Sequence, residues 1–226
     1  MCSLRTREKG PSKLRISKPR VLLADDHALV LAAFTELLAD DFDIVGTVGD
    51  GRALLEVAPQ LQPDVILLDL FMPLLHGMEA GERLKKLVPD TKIVILTMSE
   101  DPDLAVRALQ NWASGFVLKT AGREELKKAL EEAMAGGVYV SSAFRSKLRD
   151  PLILEAGRTR AKLTSRQREV LQLLAEGHSM KQAAGVLHVS ARTIAFHKYN
   201  MMAALQLRTN ADLLRFAIKE GLLKLP

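Results

Sequence analysis

Cysteine is nearly missing from this chain. Cys2 is the only one in 226 residues, so no internal disulfide can form and the composition fits a reducing compartment. Long hydrophobic runs are missing as well. No uncharged apolar stretch approaches the roughly 18 residues of a bilayer span, and the N-terminus carries no apolar core of the secretory kind, so a cytoplasmic protein with no membrane partner is expected. Acidic residues are scarce at both ends. Residues 1–20 hold seven Lys/Arg against one acid and 161–226 hold ten against four, whereas 21–140 hold ten against twenty. An acidic middle followed by a basic C-terminal third is the contrast expected when one part handles a cation or signal and the other approaches a polyanion.

What is present reads as two domains. At 48% hydrophobic and 26% charged the chain is globular in composition. Residues 1–19, rich in Lys, Arg, Ser, Gly and Pro with no periodic apolar face, are expected to be a disordered basic arm. From Arg20 short apolar runs recur: VLLAD (21–25), IVGTV (44–48), VILLD (65–69), IVILT (93–97) and GFVLK (115–119). Between them lie segments such as 28–39, 104–112 and 123–135, whose apolar residues return every three or four positions. Uniformly apolar runs separated by amphipathic helices predict an α/β fold with a doubly wound, five-stranded parallel sheet over 20–140. Residues 141–160, basic and interrupted by Pro151 and Gly157, read as a linker, though 143–149 could extend a helix. Residues 161–226 show helical periodicity only, with Thr164, Ser179, Ser190 and Asn210 placed as N-caps and Gly177 and Gly221 as stops, which predicts a small four-helix domain.

The chemistry gathers at the strand ends. In an open parallel sheet ligands bind outside the carboxyl ends of the strands. Here those ends deliver Asp25 and Asp26, Asp69, Thr97 and Lys119. Taken singly, each could be a polar strand end kept wet. Five in order on successive strands point to one crevice, where three carboxylates suit Mg²⁺ and a lysine supplies a second positive charge. A phosphoryl group reaching Asp69 would be neutralised there by the metal and Lys119, with Thr97 donating a hydrogen bond.

The segment 20–140 resembles the receiver domain of bacterial two-component response regulators, carrying its motifs as DDH (25–27), DLFMP (69–73), ILTMS (95–99) and GFVLK (115–119). The resemblance implies a flavodoxin-like fold with Asp69 as phosphoacceptor. It implies a Mg²⁺ site made by Asp26, Asp69 and the backbone carbonyl of Phe71, with Asp25 acting through water, and a phosphate switch made by Thr97, Lys119 and Phe116. One departure is NWASG, which puts Trp112 where relatives close the fourth helix with glycine. Because Asn111 tolerates a left-handed backbone better, the cap is expected to shift by one residue, leaving Trp112 either as an exposed contact or packed over the sheet edge.

The segment 163–225 resembles the LuxR-type helix-turn-helix of the NarL/FixJ family, through LTSRQREVL, AEGHS, VS and RTIAFH. The resemblance implies a reading helix over 190–205 in the major groove, with Lys181, Arg192, Thr193, Ala195, Phe196, His197 and Lys198 as DNA contacts. Ala195 lacks the charge that relatives often carry, and Phe196 could touch a thymine methyl in its place. Residues 194 and 196 lie on different helical faces, so they are not expected to be equally buried. The final helix resembles the family's dimer contact and could equally close the core. The whole implies a transcription factor in which a sensor histidine kinase phosphorylates Asp69 and so controls homodimer formation and promoter binding. The competing readings are a phosphate-independent receiver serving as a protein-contact platform and an aspartyl phosphohydrolase. The last is disfavoured because position 71, two residues after Asp69, is Phe where such enzymes need an acid, so no enzymatic activity is expected.

Overall fold

The computed structural model describes residues 18–145 and 163–223, and the expected basic arm therefore lies, but for its last two residues, outside the described residues. The first domain runs β1 (Arg20–Ala24), α1 (Ala28–Leu38), β2 (Asp43–Val48), α2 (Gly51–Leu61), β3 (Val65–Leu68), α3 (Gly77–Leu87), β4 (Lys92–Thr97), α4 (Pro102–Asn111), β5 (Gly115–Leu118), α5 (Arg123–Met134), β6 (Tyr139–Val140) and α6 (Ser142–Arg145). Every strand pairing is parallel and the order is β2-β1-β3-β4-β5-β6. The strands are apolar throughout because both faces are covered. Leu22, Ala24, Ile66, Leu68, Ile93, Ile95 and Phe116 face a core under α2, α3 and α4, while Val21, Leu23, Val65, Leu67, Val94, Leu96 and Val117 face a second core under α1 and α5.

Two boundaries differ from the sequence reading. The sheet has six strands rather than five, because Tyr139 and Val140 add a two-residue edge strand beside Gly115 and Phe116. A pair that short has no periodicity to detect. The domain also continues past 140: Ser141 donates to Glu125 at 2.6 Å, and fully buried Phe144 meets the Phe116 ring edge-on at 4.8 Å. Of the expected linker, 146–160 lies outside the described residues.

The second domain comprises α7 (Ser165–Ala175), α8 (Met180–Val186), α9 (Ala191–Ala204) and α10 (Asn210–Lys219). Thr164, Ser179 and Ser190 cap as expected. The last cap is Thr209 and not Asn210, because Thr209 and Asp212 exchange side-chain and backbone hydrogen bonds as a capping box. Gly177 and Gly221 stop their helices with φ of +90° and +68°.

Trp112 corrects another expectation. It is itself the C-cap of α4, at φ −154° rather than in a left-handed turn, and it is buried at 6% exposure. Its ring is not a solvent contact but lies on Gly81 of α3, where an added Cβ would stand 2.4 Å from the ring. Gly81 is small because the indole occupies the space a side chain would need. Gly81→Ala is expected to cost about 1–3 kcal/mol in chemical denaturation through overpacking, and Trp112→Leu in the same chain should recover much of the loss, a coupling that two independent sites would not show.

Candidate functional site

The strand order reverses between β1 and β3, and the two strands leave Asp25 and Asp69 on either side of that point. Ladder hydrogen bonding runs one residue past each strand, from Asp25 N–H to Val48 O at 3.0 Å and from Asp69 N–H to Ala24 O at 2.8 Å, so both carboxylates are held on sheet backbone. Lys119, just beyond β5, donates its N–H to Thr97 O at 2.9 Å and sends its ammonium between them. Nζ stands 2.5 Å from Asp25 Oδ2 and 3.0 Å from Asp69 Oδ2.

The Asp69 side chain is fully buried. One carboxylate oxygen accepts from Leu70 N–H at 2.8 Å; the other has the Lys119 ion pair but no hydrogen bond. Asp26 sits at the rim with its Oδ1 2.7 Å from His27 Nδ1, and Asp25, Asp26 and His27 present ligand atoms all within 4.8 Å of one another. Thr97 is fully buried and its hydroxyl accepts from Ser99 N–H at 3.1 Å. Phe116 is inward and fully buried, and half-buried Phe71 lays its ring edge-on to His76 at 5.3 Å. The pocket therefore brings Asp25, Asp69 and Lys119 into direct contact, with Asp26 beside Asp25.

The loop that follows Asp69 carries the second domain, a contact without any sequence signal. Gln172 of α7 bridges it twice, donating to Met72 O at 2.8 Å and accepting from His76 N–H at 2.6 Å. The His76 ring accepts from Met78 N–H through Nδ1 at 3.2 Å and meets Gly221 O through Nε2 at 2.9 Å, which requires the neutral Nε2–H tautomer. Burial pushes His76 down to about 4, consistent with that neutral ring. Leu74, at φ +64°, packs against the cluster of Val170, Leu173, Ala183 and Leu187. Gly77 closes the loop so tightly that a Cβ there would lie 2.3 Å from the carbonyl oxygen of Asp69.

Charge pairs flank the bridge with their signs exchanged. Glu169 of α7, 1% exposed, pairs with Arg83 of α3 and, at 3.3 Å each, with Arg52 of α2 and Arg166 of its own helix. Glu79 of α3 pairs in turn with Arg168 of α7. Burial pushes the Glu79 carboxyl up, and the Arg168 guanidinium offsets only part of that.

The expected DNA contacts divide by exposure. Lys181, Arg192 and Phe196 are exposed; Thr193, Ala195, His197 and Lys198 are half-buried. Ile194 is fully buried while Phe196 is 62% exposed, as their helical faces require. Tyr199, which the sequence reading passed over, is 60% exposed on the same helix.

Residues 21–131 match the response regulator receiver domain and residues 161–217 match the bacterial regulatory proteins of the luxR family. The oxygen regulatory protein NreC of Staphylococcus carnosus (strain TM300) is 34% identical over 214 residues, covering 90% of this chain and 99% of that protein. A structure of the RcsB response regulator of Salmonella typhimurium matches at 30% identity and a TM-score of 0.63, covering 89% of this chain and 97% of that one. A complex of the two-component response regulator RcsB with DNA matches at 29% identity and a TM-score of 0.55, covering 88% and 98%.

Glu169→Ala leaves three partly exposed guanidinium groups without their shared carboxylate. At about 3 kcal/mol, the low end for breaking a buried pair, the ratio of docked to separated domains should fall roughly a hundredfold. Small-angle scattering should then show a larger radius of gyration, with each domain's helix and strand content unchanged by circular dichroism.

Proposed function

The chain belongs to the two-component response regulators that join a receiver to a LuxR-type DNA-binding domain, and from that membership we propose that Asp69 is the phosphoacceptor through which a sensor histidine kinase controls pairing of the chain and binding to promoter DNA. The reading is carried by the Asp69 carboxylate, wholly buried yet with one oxygen aimed at an ammonium and lacking a hydrogen bond. That oxygen is the nucleophile. It forms a P–O bond as the P–N bond of a phosphohistidine breaks, and the electron pair leaves on the imidazole, which takes up a proton.

The donor set fits Mg²⁺. Asp25, Asp26 and Asp69 offer hard oxygens, to which the carbonyl of Phe71 would add a neutral one, and Asp26 would exchange its His27 contact for the ion. Bound there, the ion would supply charge that shields the phosphoryl oxygens during attack. Lys119 would exchange its carboxylate partners for the phosphoryl group, and the Thr97 hydroxyl would turn toward it, freeing space beside Phe116.

Regulation follows from where the second domain is attached. The loop that would supply the Phe71 carbonyl to a metal is the one that Gln172 and the cluster around Leu74 hold, so a rearrangement at Asp69 would be felt where the second domain docks. DNA is contacted by α8 and α9, with Lys181, Arg192, Thr193, Ala195, Phe196, His197 and Lys198 in or beside the groove. RcsB dimers have been solved on DNA, and Leu214 of α10, 41% exposed, leaves an apolar position open to a second copy of this chain. Two half-sites about one helical turn apart make such binding dimer-dependent. The protein acts in the cytoplasm as a regulator rather than an enzyme.

Incubation with acetyl phosphate and Mg²⁺ should add one phosphoryl group per chain by intact mass, with none on Asp69→Asn and none when the metal is chelated. Equal labelling of the Asn variant would move the phosphoacceptor elsewhere. Unlabelled wild type that binds promoter DNA as a dimer would favour a phosphate-independent receiver.

A further inference from the structure

Among the described residues few large hydrophobic side chains are exposed, and both aromatics in that set, Phe196 and Tyr199, stand on α9. They are three positions apart and so share a face. At 100° per residue, Arg192, Phe196, Tyr199 and Ala203 form one stripe, centred opposite the buried Ile194 and Met201. Arg192 and Ala203 are exposed as well, so the outermost line of the helix offers a cation at its start and then only aromatic and methyl surface. His197 and Lys198 lie well round from that line, toward the protein body, and are half-buried, so only the polar tips of their side chains are placed to meet the backbone that rims a groove.

The rings are braced. The imidazole of His197 meets Phe196 edge-on at 5.7 Å, and the Lys198 ammonium lies 5.7 Å from the Tyr199 centroid. Exposed aromatic surface held by its neighbours marks a contact face, and the occupant is fixed by the helix that carries it. In the major groove the apolar feature on a base edge is the C5-methyl group of thymine. Resting on the reading that α9 enters that groove, we propose that Phe196 and Tyr199 recognise thymine methyl groups, so that the half-site carries thymines beneath the middle of α9, and that His197 and Lys198 contact phosphates.

The test uses the full-length protein, phosphorylated with acetyl phosphate, and duplexes enriched from a random pool. Each thymine of the enriched half-site is then replaced by deoxyuridine, which removes only the methyl group, and Kd is followed by fluorescence anisotropy. One or two positions per half-site should weaken roughly fourfold each, the worth of one buried methyl. Phe196→Ala should bind the thymine and deoxyuridine duplexes alike at one of those positions, and Tyr199→Ala at another. Lys198→Ala should weaken every duplex equally and reduce the salt dependence. Because deoxyuridine alters only the DNA, its result does not depend on how well a variant folds. Enriched sites without thymine in the half-site, or deoxyuridine duplexes bound as tightly as thymine at every position, overturn methyl recognition while leaving DNA binding intact. A pool that yields no enriched duplex overturns both methyl recognition and the DNA-binding reading beneath it.

Discussion

The ammonium of Lys119 between two buried carboxylates is the interaction on which the rest of the molecule depends. An uncompensated buried charge costs several kcal/mol. Asp25 and Asp69 would carry that cost at the carboxyl end of the sheet if Lys119 did not lie 2.5 and 3.0 Å from them. One cation against two anions still leaves the pocket negative, and Asp26 at the rim adds a third carboxylate. The site is thus stable enough to fold and short of positive charge. A divalent cation would answer that shortage, and a covalent phosphate would deepen it again and draw Lys119 away from its present partners.

The next link is the chain that runs from Asp69 to Gly77. It is held at one end by the carboxylate's bond to Leu70 N–H and at the other by a glycine pressed against Asp69 itself. Between them Leu74 occupies a left-handed backbone that costs a non-glycine residue of order 1 kcal/mol or more, and such conformations persist only where surrounding contacts impose them. Those contacts come from the second domain: Gln172 on the backbone either side, α7 and α8 side chains around Leu74, and Gly221 on the His76 ring. Strain at Leu74 therefore favours release once the effector domain's contacts weaken. Trp112, wedged against Gly81, ties the end of α4 to the same helix α3 that bears Glu79 and Arg83. If Thr97 acts as the proposed switch, a movement of α4 would have this contact as a second connection to the interdomain charge pairs.

Sequence patterning revealed what repeats and hid what does not. Strands buried on both faces and helices of period 3.6 leave marks that local composition carries, so the five longer strands, the strand-end carboxylates and the four C-terminal helices could all be read in advance. The two-residue strand at Tyr139 has no period, and Phe144 looked like linker because its burial comes from Phe116, 28 positions earlier in the chain. Trp112 was misread for a related reason: its partner is the absence of a side chain at Gly81. The interdomain face was invisible because, apart from Leu74, what holds it is polar. Glu169 and Gln172 look like the solvated side of an amphipathic helix, and only the arginines and backbone groups of a distant loop make their burial affordable.

What docking covers determines what phosphorylation can control. The second domain meets the receiver through α7, Leu74 and Gly221, and the Arg192–Phe196–Tyr199 stripe of α9 stays exposed while it does so. Inhibition by masking the reading helix is therefore not what these contacts achieve. They fix the orientation of one reading helix relative to its own receiver. Binding two half-sites requires two such helices to stand about one turn of DNA apart, and a domain held on its receiver by exchanged ion pairs is not free to adopt that spacing with a second copy. On the proposed function, a single docked chain would retain the weak contact of one helix, and separation of the domains would let two chains add their contacts on one duplex, where the second binding event becomes intramolecular and much stronger. The resting contact thus limits cooperation between chains rather than access to DNA.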